Sequence, residues 1–478
     1  MMLGLGLSMV ISIALGALLL WLLWPRGAAA SARPLVVALG AGLGAGLSGV
    51  LLFLWMLAFG PSRGFPVAEA GVLSVVALLA LRRRHTAVSL RPAPPAGRQR
   101  SRLLLVLGLA LLVTLAAAMV AFASILRQHP HGEWDAWMNW DLRARMFFRG
   151  GEEWRRAFSA TFPWSHPDYP PLVPSLVARS WLYAGRETLL GPALVAGTFT
   201  FAIVAVLVTA LAVLRSASQG LLAGLVLLST PFFILHGTAL YADVPLAFFF
   251  LATFVCLALD ERHGTETGRF AVLAGGAAGL AMWTKNEGLL FTLSLGAGLL
   301  LAGWRGDRPA ARRRVRAFAT GLLPFLILVA TFKIAFAPAN DLLSTLSVER
   351  TLGQLTAPDR YFLVVREYTD HIASFGANGF GSAVWVLTAY FLALGVSPVD
   401  AGRRWVRAGA IALAILLAGH FMVFVSMAHE LARLLDSSLD RLLLQLWPSA
   451  LLLFFIAVRT PEEAGTGSLA VGDPADEH

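Results

Sequence analysis

Residues 103–126 read LLLVLGLALLVTLAAAMVAFASIL, and the chain then turns abruptly into RQHPHGEWDAWMNW at 127–140. A helix needs about 20 apolar residues to cross the hydrocarbon of a bilayer. Residues 103–126 meet that length without one charged side chain. The stretch that follows is dense in Trp, acid and Arg, as expected where a chain leaves hydrocarbon for a polar layer. The same alternation recurs on both sides. Candidate spans fall at 3–24, 35–59, 67–81, 102–126, 189–214, 219–235, 241–259, 270–284, 287–303, 316–337, 378–396, 406–428 and 441–459. The predicted fold is an all-α, polytopic transmembrane helical bundle of about 13 spans. A large first external loop, 127–188, carries short interfacial helices.

Composition agrees. Of 478 residues, 57% are hydrophobic and 14% charged. Soluble domains sit near 45–50% and about 25%, so a water-soluble enzyme of this length is excluded, as is a disordered chain. The lone Cys256 leaves no intrachain disulfide framework and no Cys-based metal site. The net charge of +10 comes almost wholly from Arg; the lysines are Lys285 and Lys333. The arginines stand in short links between apolar runs, the pattern that lipid headgroups select, so nucleic-acid binding is not the reading.

Three links are Arg-rich, at 82–102, 305–316 and 397–407. With the spans above, all three fall on one side, which is then the cytoplasm. Segments 127–188, 338–377 and 429–440 fall outside. For this count to hold, 171–184 must not cross fully, and it reads as a short helix at the interface or dipping partly into the bilayer. The first run lacks a basic leader and reads as a retained helix. Residues 1–88 form N-terminal transmembrane helices without an assigned role. Residues 89–101 are a Pro/Arg-rich cytoplasmic linker, 102–459 the main transmembrane module, and 460–478 an acidic, disordered tail.

Five polar clusters lie on the outward side. Glu133 and Asp135 stand at the membrane exit, where carboxylates near anionic headgroups gain nothing and fit an aqueous cavity better. The alternative for Asp135 is a helix N-cap. His166-Pro-Asp168-Tyr-Pro-Pro171 is a rigid turn, in which Asp168 either faces a site or caps the next helix. Lys285, in WTKNEG, has almost no loop in which to reach water and is a functional candidate, or else a hairpin partner of Glu287. Tyr241 and Asp243 open a span, with Asp243 either an N-cap or part of the site. His429 and Glu430 lie outside the last two spans, and Asp440–Arg441 reads as a surface pair.

These stretches carry a resemblance. EWDAWMNWDLRARMFFRGG, WSHPDYPPLVPSL, YADVPLAFF, WTKNEGLLF and SSLDRLLLQLWP span roughly residues 131–450. Together they resemble the GT-C superfamily of membrane glycosyltransferases, of the bacterial family 39-like type (protein O-mannosyltransferases and lipid A aminoarabinose transferases). The resemblance implies a GT-C-like bundle, a polyprenyl-phosphate sugar donor and an acidic base in the first loop, which by position is Asp135. The HPDYPP turn is similar to the family's His-Pro-Pro element. The mannosyltransferase branch has an adjacent acidic pair where Trp134 here separates Glu133 from Asp135, so the acceptor does not carry over.

The residues fit that chemistry on their own account. One carboxylate suffices to take the acceptor proton. Lys285 with Arg143 or Arg145 can stabilise the leaving phosphate. Glu133, His166, Asp168, Tyr241, Asp243, Glu287 and His429 are candidates for the pocket. A single displacement inverts the anomeric carbon. No cofactor is required; Asp135, Asp168 and His166 offer oxygen and nitrogen ligands should a divalent ion take part. The expected setting is a bacterial inner membrane, with the site facing the periplasm or exterior and a lipid, glycan or protein acceptor. A transporter or flippase of a polyprenyl-linked envelope lipid would need the same pocket but not Asp135 as a base.

Overall fold

Hydrocarbon offers no water to a backbone N–H, so a spanning segment closes its own hydrogen bonds as a helix. The computed structural model describes residues 1–24, 32–82, 98–263, 268–303, 308–339, 348–375, 382–427 and 431–463, and it is built this way. Three N-terminal helices come first, α1 (Met2–Leu23), α2 (Arg33–Phe59) and α3 (Phe65–Arg82). Then α4 (Arg98–Gln128) leads into the large loop, which holds α5 (Asp141–Arg149) and α6 (Leu172–Ala184). Next come α7 (Leu190–Leu214), α8 (Ala217–Leu228), α9 (Pro231–Thr238) and α10 (Asp243–His263). They are followed by α11 (Arg269–Thr284), α12 (Glu287–Gly303) and α13 (Arg308–Ala335). The remainder is α14 (Val348–Leu355), α15 (Pro358–Ala373), α16 (Ala383–Leu394), α17 (Pro398–Ala401), α18 (Arg404–Ser426) and α19 (Leu431–Ala457).

The chain is an integral multi-pass membrane protein. Among the described residues nine helices are long and apolar enough to cross a membrane, or ten if α8 and α9, bent by 64° at Ser229–Thr230, form one span. The sequence count of about 13 also takes in α11, α12 and α16, which have 16, 17 and 12 residues and fall below the usual spanning length. The only extended pairing among the described residues is an isolated bridge between Val396 and Val458.

Helix α10 is the axis of the bundle. It is apolar on every face, and such a helix must be buried; α7, α11 and α19 enclose it. Its two ends are charged. At one, Asp260 accepts from Arg314 at 2.9 Å, and Glu261 accepts from the backbone N–H groups of Arg404 and Trp405. Arg215 meets Asp400 at 2.7 Å and Glu463 at 2.8 Å. This is the Arg-rich end. At the other end stands Asp243, about 25 Å away at 1.5 Å per residue.

Two expectations gain detail. Segment 171–184 forms the expected short helix, but one packed inside the protein: in α6 every residue from Leu172 to Trp181 is buried, against α1, α2 and α5. Its Arg179 is drawn inward by Glu69 of α3, 2.9 Å away. The tail 460–478 is not wholly loose. Glu462 and Glu463 are held by Ser218 and Arg215, because two acids meet the Arg-rich end; residues 464–478, like 89–97 of the linker, lie outside the described residues. Helices α1–α3 do not stand apart from the rest. They pack on α6, and α2 also packs on α7 and α10. The α1–α2 crossing is close enough that a Cβ on Gly44 would sit 1.9 Å from the Ser12 carbonyl oxygen, the small-residue contact typical of membrane helices.

Candidate active site

The first loop is pinned to the entry of α10. Glu133 N–H donates to the Ala239 carbonyl at 3.2 Å. Gly132 makes this approach possible: its φ is +67°, and a Cβ there would lie 2.5 Å from the same carbonyl oxygen. Leu240, just before the Tyr241–Asp243 entry, is itself left-handed (φ 60°), a strained position for a side chain of its size. Beyond Asp135 the chain makes one π-helical turn, Ala136–Trp140, before α5 begins. Such turns gather at functional sites.

These elements bring together side chains that are remote in sequence. Asp243, fully buried, is the hub. Its Oδ1 accepts from Lys285 Nζ at 3.1 Å and from Gln445 Nε2 at 2.6 Å; its Oδ2 faces Arg441 Nη2 at 3.1 Å. The same Nη2 reaches Asp135 Oδ2 at 2.8 Å. Lys285 also meets Glu287 Oε1 at 2.8 Å. Asp135 and Lys285 are therefore joined by one chain of charges through Arg441 and Asp243. The α11–α12 hairpin that presents Lys285 is tight: a Cβ on Gly288 would sit 2.1 Å from the Ala281 carbonyl oxygen.

A second layer lies against the first. Asn286 Nδ2 donates to Asp168 Oδ2 at 2.8 Å, and Lys333 donates to the Asp168 carbonyl at 2.6 Å and to Asn286 Oδ1 at 2.8 Å. Lys285 lies over the Tyr169 ring at 5.7 Å, and Trp140 stacks on that ring at 5.8 Å. Arg143 is fully buried. It donates through Nη1 to the Tyr169 carbonyl at 2.6 Å, while its Nε and Nη2 have no hydrogen-bond partner among the described residues. Burial pulls its guanidinium down to about 9, against the opposing pull of Asp168 and Tyr169. Nearby, burial pushes the Asp141 carboxyl up to about 7, with Arg145 acting the other way.

The capping readings do not hold for Asp135 and Asp168. Asp135 makes no side-chain cap bond, and the cap of α6 is Pro171, again without one; both carboxylates turn to cations and amides instead. Tyr241 lies under Arg441, 4.4 Å from ring centroid to guanidinium. His166, left-handed at φ 43°, tilts against Tyr169 at 5.3 Å. Glu133 is exposed and pairs with His129 at 4.0 Å. Arg145 turns away from Lys285 toward Glu187, as does Arg149. His429 lies outside the described residues. Asp135, Asp168 and His166 do not gather: no cluster of three His, Cys, Asp or Glu fit to hold a metal occurs among the described residues.

Sequence reasoning missed Arg441, Gln445, Asn286 and Lys333. The Asp440–Arg441 surface pair is corrected: neighbouring residues point to different sides of a helix, so Asp440 meets His371 at 2.6 Å while Arg441 meets Asp135 and Asp243. Gln445, one turn after Arg441, was the available signal.

The fold and the site define a polytopic helical membrane protein with a cluster of carboxylates and cations at the end opposite its arginine-rich links. The family model of the dolichyl-phosphate-mannose-protein mannosyltransferases, a GT-C family, matches residues 169–340. That family implies a membrane glycosyltransferase with a polyprenyl-phosphate sugar donor. The matched segment holds Asp243, Lys285 and Lys333; Asp135, Arg143 and Arg441 lie outside it. No curated protein and no solved structure matches the chain.

Proposed function

We propose that this protein transfers a sugar, with inversion, from a polyprenyl-phosphate donor to an acceptor on the outward, periplasmic side of a bacterial inner membrane. The observation that carries the reading is the chain of charges from Asp135 through Arg441 and Asp243 to Lys285. Asp135 is the partly exposed acid of that chain, flanked by the exposed Trp134 and Trp137, so an acceptor from water reaches it first. Asp135 takes the acceptor hydroxyl proton. The acceptor oxygen bonds to the anomeric carbon, the carbon–oxygen bond to phosphate breaks, and polyprenyl phosphate leaves with the electron pair. It departs charged, so no general acid is needed.

The phosphate seat is assigned by what each cation already holds. Lys285 answers to Asp243 and Glu287, and Lys333 to Asp168 and Asn286. Arg143 keeps two buried N–H groups without a partner. Buried donors left unpaired are costly, and two phosphate oxygens would satisfy them in the bidentate way that suits a guanidinium. Arg143 is therefore the primary phosphate ligand, with Lys285 supplying charge. The lipid tail is accommodated in an apolar groove of about 230 Å³ lined by Ile372, Phe375, Leu413, Leu417, Leu443 and Trp447. Leu443 and Trp447 of that lining stand on α19, the helix that also carries Arg441 and Gln445.

The test is turnover. Purified protein given a labelled polyprenyl-phosphate sugar and envelope acceptors should release polyprenyl phosphate. Donor binding without any release would favour the transporter reading instead.

A further inference from the structure

We propose that the first three helices are a positioning unit for the outward cluster. They hold α6 through Arg179, and the Lys285 and Lys333 ends of α11 and α13 through Phe53.

The first hold is a buried ion pair. Glu69, in α3, and Arg179, in α6, are both about fully buried, with side-chain exposures of 0% and 1%. Arg179 Nε donates to both Glu69 oxygens at 3.0 and 2.9 Å, and its Nη2 donates to the Ser8 carbonyl of α1 at 2.9 Å. Tyr183 donates to Glu69 Oε2 at 2.7 Å. Two N-terminal helices thus grip one turn of α6 by charge and hydrogen bond. Helix α6 starts directly after the His166–Pro171 turn. The rigid prolines of that turn transmit the placement of α6 to Asp168 and Tyr169, which contact Asn286, Lys333 and Arg143.

The second hold is aromatic. Phe53 of α2 packs edge-on against Trp283 at 5.0 Å and Phe332 at 6.4 Å, and against Trp154 of the loop at 6.1 Å. Trp283 is two residues before Lys285, and Phe332 is one before Lys333. One side chain of the N-terminal unit therefore sits behind both site lysines. Aromatic edge contacts of this kind are directional, and site groups displaced by about 1 Å can lose two orders of magnitude in rate. Glu69, Arg179 and Phe53 touch none of the proposed reacting groups, so they are positioning residues. Only the link to catalysis rests on the proposed function.

The experiment is hydrogen–deuterium exchange by mass spectrometry on the full-length protein in detergent. The variants are Phe53→Leu, Glu69→Gln, and the double replacement Glu69→Met with Arg179→Met. The double variant strands no buried charge and is the form expected to fold. Segment 163–172 should exchange at least tenfold faster in the Glu69 variants, and 283–288 in Phe53→Leu, with the amides of α18 unchanged. Wild-type protection in those segments overturns the proposal. So does a rise that is uniform and includes α18, since that reads a loss of global stability. In a turnover assay the same variants should lose at least tenfold in kcat with the donor KM within twofold. A wild-type protein without turnover would count against the proposed function while leaving the exchange result intact.

Discussion

Asp135 Oδ2 lies 2.8 Å from Arg441 Nη2, although one residue belongs to the loop after α4 and the other to the last helix. The same guanidinium nitrogen reaches Asp243 at the head of α10. The proposed base and its partner both fall outside the segment matched by the family model. The site is thus closed by parts of the chain that flank the matched core.

Asp135→Asn keeps the shape of the side chain and removes its ability to take a proton. General bases contribute about 10²–10⁴-fold. We expect kcat to fall by at least about a hundredfold, with donor binding retained, as read by release of labelled polyprenyl phosphate and by equilibrium binding. Full activity in this variant removes Asp135 from the mechanism.

Arg143→Lys replaces a planar fork with a point charge. The variant should lose about tenfold or more in kcat/KM, which corresponds to about 1.4 kcal/mol. Polyprenyl phosphate alone should also bind more weakly. Unchanged kinetics would place the phosphate elsewhere.

Lys285→Ala leaves Asp243 and Glu287 without their shared cation. Removing one partner of a buried pair costs about 3–5 kcal/mol. We expect a lower unfolding temperature together with at least a tenfold loss in kcat or rise in donor KM. Lys285→Met should show the same signs, since the charge and not the volume is what is lost.

Asp141 gives a pH dependence. Its carboxyl is raised by burial to about 7 in the folded protein, against about 3.9 in an unfolded chain. Folding therefore favours the protonated form. The contribution is complete below about pH 4, declines as pH rises toward 7, and is lost above it. Thermal unfolding of wild type and Asp141→Asn at pH 5 and pH 8 checks this. The wild type should lose more stability between the two than the variant.

Much of the bundle was legible, because apolar length dictates helices in hydrocarbon. The neighbourhood of Asp135, Asp168, Asp243 and Lys285 was also reachable, because ionisable groups beside apolar runs need company. The partners were harder to see. Arg441 sits next to Asp440, and adjacency in sequence suggested a pair that helix geometry forbids. Lys333 ends an apolar run, a place where a lysine ordinarily reaches for headgroups, so nothing there set it apart. Glu69 was a usable signal left unread: a lone acid inside an apolar run requires a buried partner. Its partner, Arg179, lies 110 residues away, and no local pattern links the two. Phe53 carries no sequence signal at all, since one Phe among many apolar residues acquires its role from what packs around it.

The π-helical turn at Ala136–Trp140 has a consequence for how this loop tolerates change. A π turn holds one more residue than an α turn, and each residue of a helix adds about 100° of rotation. Deleting any single residue of AWMNW would let the segment wind into ordinary α-helix and swing everything upstream by that angle. The proposed proton acceptor would then face away from the guanidinium of Arg441, with every atom of both side chains still present. The relative bearing of acid and cation is thus fixed by a count of residues, and a one-codon deletion should be more damaging there than most point substitutions.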